Sequence, residues 1–140
     1  MFGLFESSKT KEIKQCFRVA LWNVVAEIDP KGGPEDKSLV TLANKLVKDW
    51  IPTLPKHVVD NVSASSLAAY VLICECQVFL KNDPATKSVD LFVKAAKLAV
   101  KGIGLRMPNL HSDELQLMVT TAKIADSIGL DFYSELTTIA

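Results

Sequence analysis

The chain has 140 residues, 49% hydrophobic and 23% charged, with sixteen basic residues balancing sixteen acidic ones. That apolar content supports a folded core and excludes a disordered chain, while zero net charge excludes a whole-molecule field directed at nucleic acid or an anionic membrane. Arg18 and Arg106 are the only arginines, and arginine is the usual reader of phosphates and bases, so nucleic acid is not an expected partner.

The length fits one all-helical domain over residues 1–140, with 1–7 as an N-terminal tip. Large apolar groups crowd that tip. It reads as a docked or frayed end, with membrane contact through Phe2, Leu4 and Phe5 as the alternative. No period-two alternation marks a strand. The first helix is expected from about Ser8 to Glu27, its inner side carrying Ile13, Phe17, Ala20, Leu21, Val24 and Ile28. Trp22 continues the outer row of Lys11, Lys14, Gln15 and Arg18, which points to an exposed indole of the kind favoured at interfaces. The Asp29-Pro30 to Pro34 segment ends this helix.

Asp36 is the natural cap of a second helix, with Leu39, Leu42, Ala43, Leu46 and Trp50 inside. Pro52 and Pro55 break it, and Pro55 opens one short turn through Asn61. The third helix, Ser63 to Lys81, is apolar nearly all round. At about 100° per residue, Ser63, Ser66, Tyr70, Gln77 and Lys81 form one polar stripe, and Glu75 points to the opposite, apolar side. The stretch Leu67–Leu80 is short for a bilayer and reads as a core helix.

Asp83 and Pro84 open the fourth helix, about Pro84 to Ile103. Its outer stripe holds Lys87, Lys94, Lys97 and Lys101, beside Leu91, Leu98 and Leu105 at seven-residue spacing. Thr86–Arg106 has five basic residues and one acidic, a net of +4, and Met107–Ala140 has the reverse, a net of −4. The fifth helix, about Ser112 to Ile128, is expected to bury Leu115, Met118, Val119, Ala122 and Ala125. A second apolar row of Leu117, Ile124 and Ile128 is left for another neighbour or a partner. A short C-terminal piece, Phe132 to Ile139, docks on the bundle. The matching Ile103-Gly104-Leu105 and Ile128-Gly129-Leu130 reflect helices ending in left-handed glycine caps rather than a repeat.

Chemistry-bearing residues are sparse. Glu75 is the most conspicuous, since a carboxylate on a buried face must be paired, hydrogen-bonded or protonated. Arg18 is its expected partner, and Asp126 shares the expected inner face of the fifth helix, so Glu75, Asp126 and Arg18 form the candidate ligand pocket. Cys74 and Cys76 project about 200° apart on a helix and cannot share a metal or disulfide. With Cys16 they make an odd count of reduced thiols, consistent with the cytoplasm. His57 and His111 lie at loop edges, and no metal spacing, phosphate loop or nucleophile elbow appears. No cofactor, metal or catalytic residue is assigned.

Residues Val19–Val47, with Ala26-Glu27-Ile28-Asp29, a glycine-containing loop and Glu35-Asp36 opening the next helix, resemble bacterial tellurite-resistance-type helical domains. The likeness covers about a fifth of the chain. The acidic pattern those domains repeat later is missing, so no residue role is carried over.

The sequence therefore points to a non-enzymatic module that binds a protein partner or itself through the outer faces of the fourth and fifth helices. Its expected contacts are Leu91, Leu98, Leu105, Lys94, Lys97, Lys101, Leu117, Ile124, Ile128 and Trp22. The alternatives are a small-molecule-binding bundle anchored on Glu75, and a small enzyme with an acid–base site outside any known motif.

Overall fold

A computed structural model describes residues 7–27, 33–82, 87–105 and 111–137. Within them lie seven α-helices and no strand, as the sequence predicts. They are α1 (Ser8–Val25), α2 (Lys37–Trp50), α3 (Lys56–Asn61), α4 (Ala64–Asn82), α5 (Lys87–Leu105), α6 (Ser112–Ser127) and α7 (Phe132–Thr137). A 3₁₀ turn, Ile51–Thr53, joins α2 to α3 around Pro52. The predicted third, fourth and fifth helices are thus α4, α5 and α6. The Phe2, Leu4 and Phe5 tip, the Asp29-Pro30 boundary and the Asp83-Pro84 cap lie outside the described residues, as do the side chains of Lys87 and Leu105.

Local chemistry sets the helix ends. Ser7 caps α1 by accepting from the Thr10 amide at 3.1 Å, and Asp36 caps α2 by accepting from the Ser38 amide at 3.0 Å. Ser63 Oγ accepts from the Ser66 amide at 3.2 Å where α4 begins. At α6 the cap is His111, not Ser112: its Nδ1 accepts from the Asp113 amide at 3.1 Å. Gly129, at φ 76°, closes α6 with a Schellman-type return in which the Leu130 amide reaches Ala125 O at 2.9 Å. The cap expected at Gly104 is not made, because α5 continues through it to Leu105.

Helix α4 is the axis of the bundle, packing on α1, α5 and α6. Eleven of its residues are buried, from Ala64 to Cys76. By length and composition α4 could cross a membrane, yet more than half of it is buried by the other helices, as in the core helix of a bundle. Phe17, Leu21 and Val100 are fully enclosed around it, as are Leu67, Leu72 and Ile73 of α4 itself. Phe79 and Phe92 tie α4 to α5, their rings 5.2 Å apart and tilted by 39°. Phe132, 2% exposed, anchors α7 in the same core. Trp22 is half-buried against this core rather than exposed, because the α1 row it continues turns inward towards the C-terminal end of the helix.

The short α3 is held by polar contacts with α6. His57 Nδ1 lies 3.0 Å from Asp113 Oδ2, and Asn61 Nδ2 donates to the same oxygen at 3.0 Å. The His57 contact, with the Asn61 bond next, holds the Asp113 carboxyl below its usual pKa of 3.8. A depressed folded-state value means that this tie is present in full above 3.8 and is lost as the pH falls through the lower folded value. Asp113→Asn is therefore expected to flatten the fall in melting temperature between pH 5 and pH 2. An unchanged acid slope would assign that sensitivity elsewhere.

Candidate functional site

The buried acid of the bundle is Glu114, not Glu75. Glu75 is half-buried near the C-terminal end of α4, where its Oε1 accepts from Trp50 Nε1 at 3.3 Å. It also helps raise the pKa of Lys45, after the dominant effect of Asp49. Arg18 is not its partner, because the Arg18 guanidinium is turned to Glu35 at 3.1 Å and to Gln15 at 2.5 Å. Asp126 is exposed on α6. The expected Glu75, Asp126 and Arg18 pocket therefore does not assemble. Glu75→Gln keeps an acceptor for the Trp50 indole and is expected to change the unfolding free energy by less than about 1 kcal/mol. Chemical denaturation followed by Trp fluorescence checks this.

Glu114 is only 6% exposed. Its Oε1 accepts from Ser66 Oγ at 2.8 Å and from the Ser63 amide at 3.0 Å, at the positive end of α4. Ser66 of the polar stripe thus meets α6, and is 2% exposed.

Glu114 also rotates α6. With it facing α4, the inner positions become Leu117, Met118, Thr121 and Ala125, while Leu115 and Val119 are each 47% exposed. The row left for another neighbour or a partner is therefore packed on the bundle itself. Leu117 is buried, and Ile124 and Ile128 are half-buried against the core. Asp126 does lie with Val119 and Ala122, but on the flank facing α7, beside Tyr133.

On α5 the expected outer stripe is largely where the sequence put it. Lys94 is exposed, Lys97 is half-buried, and Leu98 is 37% exposed. Lys101 reaches Glu135 of α7 at 3.7 Å. Leu91, in contrast, packs on the core.

Leu98 forms one edge of a groove of about 360 Å³ between α1 and α5. The α1 wall is Cys16, Val19 and Ala20, and the α5 wall is Leu98, Ala99 and Gly102. Ala64 and Ser65, at the start of α4, form the floor. Val19 is 39% exposed and faces Leu98 across the opening. Glu12, Gln15 and Asn23 supply the polar edge. The lining is small, and a side chain added at Gly102 would meet nothing within 4 Å. Sequence reasoning missed Gly102 and Cys16, although the run of Ala95, Ala96, Ala99 and Gly102 on one helix was a readable sign of unusually low side-chain volume.

Cys16, half-buried in this wall, lies 3.9 Å from Ser65 Oγ. Burial pushes the Cys74 thiol up to about 11 and the Cys76 thiol up to about 12. At pH 8 their thiolate fractions are about one in a thousand and one in ten thousand. Iodoacetamide under native conditions is therefore expected to give a single adduct, at Cys16, by intact mass and peptide mapping. Equal labelling of Cys74 would contradict this enclosure of α4.

Among the described residues, no group of three His, Cys, Asp or Glu is set to hold a metal. His57 and His111 are exposed and both approach Asp113, His111 Nδ1 at 3.8 Å from the carboxylate. No family model, curated relative or solved structure matches the chain.

Proposed function

We propose that the protein is a non-enzymatic binding module whose α1–α5 groove seats the apolar face of a partner protein's amphipathic helix. The supporting observation is the pair of exposed apolar rims, Val19 and Leu98, above a lining of Ala20, Ala64, Ala99 and Gly102. A groove of about 360 Å³ takes two or three apolar side chains at helical spacing. Charge differs between its two edges, with Glu12 lining the α1 side. On the helical wheel, Lys94 and Lys101 stand on the side of Leu98 away from Gly102, so a helix seated here meets cations along one edge. The partner helix accordingly carries acidic residues on that edge. Helix α5 is the surface also expected from sequence, whereas the α6 contribution through Leu117, Ile124 and Ile128 is withdrawn because those side chains pack inward.

Selection from a displayed library of helical peptides tests this reading. Selected peptides should be amphipathic with one acidic edge, and should shift the NMR signals of Val19, Leu98 and Gly102. Leu98→Arg should weaken them at least tenfold, and the Lys94→Glu, Lys101→Glu pair should reverse the charge preference. Peptides indifferent to Leu98→Arg would overturn the reading. A concentration-dependent dimer abolished by Leu98→Arg would replace the partner helix with a second copy of this chain. A ligand site anchored on Glu75 draws no support, because Glu75 does not line this groove.

A further inference from the structure

On the other flank of α1, the structure assigns an anion site of a different kind. Lys11, Lys14 and Arg18 lie at i, i+3 and i+7, one above another, and face Asn44 of α2 across a cavity of about 240 Å³. Among the described residues, no acidic side chain lines this cavity. Lys11 has no acidic partner among the described residues. Three cations and an amide donor converge on this space, which has room for a tetrahedral oxyanion together with part of the molecule that carries it, and we infer that it binds the phosphate of a phosphomonoester.

Arg18 supplies the second observation. Its side chain is 19% exposed, Nη1 is held by Glu35 and Nη2 by Gln15. The buried Nε–H has no hydrogen-bond partner. A buried donor left without an acceptor is uncommon and costly. The present partners therefore leave the guanidinium's capacity for a side-on, two-bond grip unused. Glu35 is 76% exposed, and an exposed pair of this kind is weakly held. A phosphate entering from the Lys11 and Lys14 side can replace Gln15 at Nη2, take up the Nε–Nη2 edge and draw the guanidinium away from Glu35. Binding here does not rest on helix docking in the α1–α5 groove, although Gln15, which holds Arg18 Nη2, also stands on that groove's polar edge.

The phosphate could come from a soluble ester or from a lipid headgroup, and one experiment separates them. The ¹⁵N-labelled protein is titrated with inorganic phosphate and with glycerol 3-phosphate at constant ionic strength. A parallel arm measures sedimentation with phosphatidylcholine vesicles containing phosphatidic acid. The expected result is saturable shifts confined to Lys11–Arg18 and Asn44. Arg18→Gln and Lys14→Gln should each weaken binding about tenfold, and Glu35→Gln should strengthen it two- to threefold by removing the competing carboxylate. Glu35→Gln keeps the test sharp if Arg18→Gln fails to fold. Binding of glycerol 3-phosphate identifies a soluble ester, and binding of vesicles alone identifies a headgroup; either upholds the site. Binding of neither, shifts spread equally over Lys94, Lys97 and Lys101, or weaker binding by Glu35→Gln would overturn it.

Discussion

Glu114→Ala is expected to lower the unfolding free energy by about 3 kcal/mol and the melting temperature by roughly 10 °C. Two donors depend on that carboxylate, the Ser63 amide and the Ser66 hydroxyl, and the Ser66 bond is buried. Hydrogen bonds to a charged acceptor contribute about 1.5–3 kcal/mol each, and the loss is greatest when the donors stay behind with no water to replace the partner. The negative charge also faces the amide end of α4, which adds a few tenths to 1 kcal/mol. Glu114→Gln retains one acceptor oxygen and should lose only about 1 kcal/mol. Urea titration of the wild type and both variants gives the comparison. An alanine variant within about 1 kcal/mol of wild type would show that the network contributes little.

Gly102→Leu is expected to separate stability from binding. The residue lies inside α5, where glycine is less favourable than a good helix former by about 0.8–1 kcal/mol. A new Cβ there meets no atom within 4 Å. The variant should therefore unfold at the same or a higher urea concentration. Its side chain nonetheless projects into the groove between Val19 and Leu98, taking the volume a docking helix would fill. Selected helical peptides should lose at least tenfold in affinity, while the phosphate response at Lys11, Lys14 and Asn44 stays unchanged. A variant that gains stability and still binds those peptides would place their site elsewhere.

Most of the fold was legible in the sequence. Apolar spacing and the cap at Asp36 were local signals, and so was the glycine turn at Gly129, whereas the cap at Ser7 was not read. The two substantive errors share one cause. Reading Ser63 and Ser66 as part of one polar stripe placed Glu75 on the buried side of α4, and favouring Leu115 and Val119 for the inner face of α6 left Glu114 unnoticed. In the structure the serines face α6 and Glu114 turns in to meet them. Hydrophobic periodicity has no means of recording this, because a serine and a glutamate that satisfy one another both read as surface residues. α6 carried two apolar rows, and the choice between them was made by a polar contact 48 residues away in sequence.

The candidate grooves were less legible. Lys11, Lys14 and Arg18 read correctly as an outer row, but Asn44 joins them only through the packing of α1 against α2. Leu98 was read as a surface residue and is one. Its counterpart Val19 gave no signal, because a valine on an amphipathic helix looks like core until the opposite wall proves too small to cover it.

The Glu114 bridge also bears on how the molecule opens. The Ser63 amide just ahead of α4 and the Ser66 hydroxyl in its first turn both rest on an acceptor supplied from α6, so the start of the central helix is complete only when both helices are in place. Fraying of α6 then releases the entry turn of α4 along with it. Hydrogen exchange across Ser63–Ser66 should follow a single opening event shared with Glu114–Thr121, a cooperative unit joined across the bundle rather than along the chain.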